Sequence, residues 1–171
     1  MADDRKLVSG ALADDDTPAG KLIDRYLAGI ALLRAAVADM SVTQLQARPV
    51  PGKMSTMEVV GHVVDADQFM ADRMKRTIAT DLPLLMGVDA IGYLPALHYD
   101  ERDLALDMRL LAVTREQMAA DLRRISPEAW ERKAVHSENG LVTMRQLMLH
   151  TVRHLERHVA AIQEKREALG L

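Results

Sequence analysis

The chain contains no cysteine and has few aromatic residues. Without cysteine it cannot form disulfides or thiolate metal sites, and it has no cysteine nucleophile. Five aromatic side chains among 171 residues would make a poor stacking platform for single-stranded nucleic acid. No apolar run approaches the roughly 20 residues needed to span a bilayer. The hydrophobic 49% of the chain must therefore build its core from aliphatic residues and 11 methionines.

An excess of positive charge is also missing. The chain has 25 acidic and 22 basic side chains, a formal net charge of −3 and a sequence pI of about 6.1. This balance argues against a basic nucleic-acid-binding surface, so we expect no nucleic-acid partner. Residues 1–16 carry five aspartates and no apolar stretch behind a basic end, so no secretory signal is expected. We predict a single cytoplasmic domain over residues 1–171, without membrane association and with a mobile acidic N-terminus at residues 1–16.

Apolar residues recur at helical spacing in four long stretches, and no stretch sustains the alternation typical of strands. The pattern predicts helices over about residues 18–40, 55–78, 101–124 and 143–169. Thr17 fits a cap that is followed by a proline at the first helical position. Ser55 with Glu58, and Thr143 with Gln146, fit the capping box that opens a helix. The predicted fold class is all-α, a four-helix bundle.

The connections between these helices are uneven in length. Residues 41–53 contain two prolines and a glycine and are predicted to be a simple connection. Residues 79–99 form a longer connection, and loops of that length in a compact domain are usually functional or cover an opening. Residues 126–128 suggest a helical turn that carries Trp130, and residues 134–141 are predicted to be a loop that turns at Asn139-Gly140.

Three of the six histidines are spaced by four residues in the last predicted helix: His150, His154 and His158. This spacing places them on one helix face with a drift of about 40° per step, so their ring nitrogens can converge on one ion. A further ligand must come from another helix, since one helix cannot surround a metal. His62 is the natural candidate because it lies within the apolar segment 59–64 of the second predicted helix.

Other interpretations of the histidines stay open at this point. A buried histidine is more often hydrogen-bonded in the core than bound to metal, and the triple could mark a polar helix face or a dimer contact. Two familiar metal patterns do not fit, because no glutamate directly follows His154 and no Glu-x-x-His motif is present. A single ion held by three histidines fits better. His98 and His136 are predicted to be loop residues at the surface.

Two carboxylates lie within one turn of His62. Asp65 and Glu58 are predicted to orient its ring from outside the coordination shell, with solvated helix residues as the alternative.

Three segments together resemble one known family. They are residues 48–65, the loop 81–89, and residues 140–147 leading into the histidine run. These residues resemble the DinB-like family of damage-inducible bacterial bundles and its relatives among thiol-dependent transferases. The resemblance implies a four-helix bundle in which three histidines bind a divalent ion, commonly nickel or zinc. The ligands it implies are His62, His154 and His158, with His150 lining or supporting the site.

Three histidines leave an open position on the ion, which is the usual arrangement of a catalytic metal site. With the resemblance, this predicts a metal-dependent enzyme, either a small-molecule hydrolase or a thiol transferase that uses an external low-molecular-weight thiol. The alternative is a non-catalytic metal-binding protein of stress response or interaction. The resemblance also implies a homodimer.

Overall fold

The computed structural model describes residues 16–171, and four long helices form its frame. Apart from Asp16, the predicted mobile N-terminus lies outside the described residues. The long helices are α1 (Ala19–Val37), α3 (Thr56–Ala79), α5 (Leu104–Leu122) and α6 (Met144–Leu169), with the short helices α2 (Val42–Gln46) and α4 (Tyr93–Ala96) between them. Two 3-10 turns cover Tyr99–Glu101 and Pro127–Glu131. The predicted four-helix bundle is confirmed.

Both predicted capping boxes open their helices. The Ser55 hydroxyl accepts from the backbone N–H of Glu58 at 3.1 Å, and the Glu58 carboxylate accepts from the N–H of Ser55 at 2.7 Å. Thr143 and Gln146 make the equivalent pair of bonds at 3.1 and 2.9 Å. These bonds satisfy backbone donors that have no partner within the helix, and so fix where α3 and α6 begin.

The other two long helices begin later than predicted. The Thr17 cap is wrong, because Pro18 has a ψ of 141° and itself occupies the capping position, so α1 begins at Ala19. Helix α5 begins at Leu104, since the Asp103 side chain accepts from the backbone N–H groups of Ala105 and Leu106. The residues before Asp103 form a separate 3-10 turn.

A small three-stranded sheet lies beside the bundle, where sequence periodicity predicted only loops. Its strands are β1 (Leu84–Leu85), β2 (Lys133–His136) and β3 (Gly140–Thr143), in the order β1-β2-β3. Strands β2 and β3 form an antiparallel hairpin that turns at Asn139-Gly140, as predicted, and β1 pairs with β2 in parallel. Strands this short carry too few alternations for the pattern to be recognised.

A buried ion pair ties three helices together. Arg115 of α5 donates two hydrogen bonds to Asp67 of α3, at 2.5 and 2.8 Å, and a third to the Tyr26 carbonyl of α1 at 2.5 Å. Gly29 of α1 provides the space for this guanidinium, since a Cβ at Gly29 would overlap it.

Within residues 16–171, no helix is both long and apolar enough to cross a membrane.

Candidate metal centre

The side chains of His62, His154 and His158 meet inside the bundle, where they are 1%, 5% and 6% exposed. The Nε2 atoms of His62 and His154 are 3.1 Å apart, and those of His154 and His158 are 3.2 Å apart. One ring nitrogen from each residue lies within 4.8 Å of the other two. The structure therefore brings together the three residues that were predicted as ligands. Their binding of an ion stays a prediction.

Helix geometry and local packing explain this convergence. The four-residue spacing on α6 brings the rings of His154 and His158 to a centroid distance of 4.4 Å. On α3, His62 is buried together with Val60 and Val63, so this part of the helix is enclosed on several sides and the imidazole lies inside the bundle.

The donor geometry fits a divalent ion. Imidazole nitrogens bind zinc at about 2.0–2.1 Å, so two ligands at a tetrahedral angle lie about 3.3 Å apart. The two short distances in the site are close to this value. Hydrogen bonds among the rings fit less well, because each Nε2 offers either one hydrogen or one lone pair. His154 Nε2 therefore cannot form a good hydrogen bond with both neighbours at once, whereas a shared ion accepts a lone pair from all three.

The electrostatics also favour the coordinating state of the central ligand. Burial lowers the pKa of His154 well below its ordinary value of 6.5, and the nearby histidines and Arg157 lower it further. A neutral imidazole is the form that binds metal, so His154 is already in that form at neutral pH.

His150 lies next to the three histidines, as predicted. Its ring centroid is 5.7 Å from that of His154, and it lines a cavity of about 50 Å³ that opens beside the site. The cavity wall also includes Gly87, Val88 and Ala90 from the long connection between α3 and α5. Part of that connection therefore packs over the opening, as its length suggested.

Asp65 is held by residues other than His62. Its carboxylate accepts hydrogen bonds from the Tyr99 hydroxyl and from Arg102, and Arg102 also pairs with Asp107 at 3.2 Å. Gly61 lets this cluster pack closely, since a Cβ there would lie 2.9 Å from the Tyr99 ring. We therefore assign Asp65 to fixing the turn before α5 against α3.

Glu58 is likewise committed elsewhere. Its carboxylate closes the capping box with Ser55 and forms an ion pair with Arg48. Within residues 16–171, neither Glu58 nor Asp65 hydrogen-bonds to His62. The structure therefore does not give these carboxylates the orienting role that their spacing suggested.

His136 corrects the sequence prediction most directly. It was predicted at the surface, but it is 3% exposed and lines the cavity beside the histidines. The reason is the sheet, because β2 pairs with strands on both sides and turns Ala134 and His136 inward. Burial and the charge of Arg73 lower the pKa of His136, while the charge of Glu138 opposes that shift. His98, by contrast, is exposed as predicted.

Sequence comparison places the chain in a family. Residues 25–162 match the model of the DinB superfamily. The chain belongs to the DinB superfamily. This confirms the resemblance seen in the residues before α3, in the loop after it and at the start of α6. No curated protein matches the sequence.

A solved structure shares the fold of this DinB-superfamily chain. YfiT from Bacillus subtilis, described as a probable metal-dependent hydrolase with an unusual four-helix bundle topology, superposes with a TM-score of 0.86. The match covers 92% of this chain and 91% of YfiT, at 21% sequence identity. At that identity the likeness shows the fold alone.

Proposed function

We propose that the three histidines hold one divalent ion, zinc or nickel, and that the protein is a metal-dependent hydrolase of small molecules. The observation that carries this proposal is the convergence of three buried ring nitrogens beside an open cavity. A structural metal site is usually closed by four protein ligands, whereas three ligands leave a position for a reacting group.

The residues of the cavity wall favour attack on the substrate by an activated small molecule rather than by a side chain of the protein. The lining residues within 16–171 include no serine, threonine, tyrosine, lysine or cysteine, and the one carboxylate among them is that of Glu138. A divalent ion in such a site lowers the pKa of water to about 7 and polarises a carbonyl group. His150 also lines the cavity beside His154, and an imidazole is the side chain best suited to move a proton near neutral pH.

Hydrolysis and thiol transfer are both compatible with this chemistry. The description of YfiT as a probable metal-dependent hydrolase favours the former for a chain that shares its fold. Thiol transfer would need a low-molecular-weight thiol as co-substrate, because the chain has no cysteine. The same ion would then bind a thiolate in place of water.

The test is a panel of small esters, amides and lactones, with and without an added thiol, assayed on zinc-loaded, nickel-loaded and chelated protein. We expect turnover that chelation removes, that His154→Ala abolishes and that the exposed control His98→Ala retains. Turnover that requires the added thiol would identify the reaction as thiol transfer instead of hydrolysis. A protein that binds one ion per chain and turns over nothing in the panel would favour the non-catalytic alternative.

A further inference from the structure

One face of α3 connects the histidine site to a charged residue at the far end of the cavity. The wall residues that α3 contributes are His62, Ala66, Phe69, Met70 and Arg73. Arg73 follows His62 by eleven positions in the helix. That corresponds to three helical turns plus about 20° of rotation, and to about 16 Å along the helix axis. Both residues therefore lie on the same face, and side chains of a helix lean towards its N-terminus, so Arg73 leans back towards His62.

The Arg73 guanidinium is positioned but not neutralised. Its Nη2 donates to the Met86 carbonyl at 2.6 Å, and its Nη1 approaches the Met70 sulfur at 3.5 Å. Within residues 16–171 it forms no ion pair with a carboxylate. Burial lowers the pKa of Arg73, and the charges of Glu138 and Asp72 oppose this shift. Glu138 also lines the cavity, next to Gly87. A partly buried cation with unused donors is the condition in which an external anion is bound.

His136 presents a second donor to the same cavity. Its Nδ1 accepts from the backbone N–H of Glu138 at 3.2 Å and lies 2.9 Å from the Asn139 side-chain amide. A backbone N–H can only donate, so Nδ1 is the acceptor, and the neutral ring carries its proton on Nε2. The cavity thus has a guanidinium and an imidazole N–H available for an acceptor group on a ligand.

We propose that this cavity takes a small substrate bearing a carboxylate, which Arg73 binds at the end remote from the three histidines and which His136 Nε2 supports by a hydrogen bond. The proposal rests on the proposed function, because it names the substrate class of the same site. The planar guanidinium matches a carboxylate through two parallel hydrogen bonds, which also fixes the direction of the substrate along α3. The group to be attacked then lies towards His62 and His154.

The experiment measures binding of butyrate and of its neutral amide, butyramide, by titration calorimetry on zinc-loaded and metal-free protein. The variants are Arg73→Gln, Arg73→Lys and a control, Arg109→Gln, which removes the same charge from an exposed position of α5. We expect Arg73→Gln to weaken butyrate binding by about tenfold or more, since hydrogen bonds to charged groups have that value. Arg73→Lys should be intermediate because it keeps the charge but loses the planar fork, and Arg109→Gln should match the wild type.

Because Arg73 also holds the loop at Met86, a second measurement uses the unaltered protein. Butyrate should shift the NMR signal of the Arg73 Nε–H group, and butyramide should not. Equal butyrate affinity in wild type and Arg73→Gln, or equal affinity of wild type for butyramide and butyrate, would overturn the proposal.

Elemental analysis of the same samples separates this proposal from the proposed function. Wild-type protein that binds no zinc but binds butyrate through Arg73 would contradict the metal-dependent activity and uphold the anion site. Protein that binds zinc, but whose butyrate affinity does not change when Arg73 is substituted, would contradict the anion site and leave the metal-dependent activity standing.

Discussion

Asp67→Asn should destabilise the protein strongly, because it breaks the buried ion pair between α3 and α5. The Asp67 and Arg115 side chains are each 1% exposed, and two hydrogen bonds of 2.5 and 2.8 Å join them. The substitution leaves the guanidinium buried without a counter-charge, since its remaining bond to the Tyr26 carbonyl supplies none. Removal of one partner from such a pair costs about 3–5 kcal/mol of unfolding free energy.

For a chain of this length, each kcal/mol corresponds to about 2–4 °C in Tm, so the expected loss is roughly 6–20 °C. Thermal unfolding followed by circular dichroism measures it. The control is Asp24→Asn, whose carboxylate is 3.3 Å from Arg123 in a pair that is 74% and 54% exposed. Exposed pairs contribute about 0–1 kcal/mol, so this control should lose little. Equal losses in the two variants would refute the reasoning, because burial would then make no difference.

Three other expectations follow from the fold and the site. Gly29→Ala should destabilise the protein in urea titrations, because its methyl group would overlap the Arg115 guanidinium. The control Gly20→Ala lies on the same helix, where a Cβ meets nothing within 4 Å, and it should stabilise the protein by up to about 1 kcal/mol. The lowered pKa of His136 means that the folded protein binds fewer protons than the unfolded chain below about pH 6.5, so stability should fall as the pH falls below that value. His136→Asn should reduce this loss between about pH 7.5 and 5.5, whereas the exposed control His98→Asn should leave it unchanged. Chelation at neutral pH should lower the Tm without unfolding the protein at 25 °C, because ion binding at a hundredfold excess over Kd contributes about 2.7 kcal/mol; complete unfolding on chelation would instead make the ion structural.

The parts of the fold that the sequence predicted are those determined by local interactions. The two capping boxes require only residues three apart, so the capping residues of α3 and α6 were predicted correctly. The four-residue spacing of His154 and His158 is likewise a property of one helix. Placing His62 opposite them needed a pairing of two helices, which its apolar surroundings and the family resemblance supported.

The features that were missed depend on contacts between distant segments. His136 is buried because β2 pairs with residues of the long connection after α3, and four-residue strands give no periodic signal. The pairing of Arg115 with Asp67 joins residues 48 apart, and in the sequence both look like ordinary surface charges. Asp65 and Glu58 show the converse error, since proximity to His62 along the helix said nothing about stronger partners supplied by Tyr99 and Arg48.

The metal content of purified protein tests the central claim most directly. After zinc or nickel loading and removal of excess ion, we expect about one ion per chain in the wild type and in the exposed control His98→Ala. His62→Ala, His154→Ala and His158→Ala should each lose stoichiometric metal, because two histidines rarely retain a divalent ion, while remaining folded by circular dichroism. Metal content in the folded His154→Ala, His158→Ala double variant equal to that of the wild type would contradict the account.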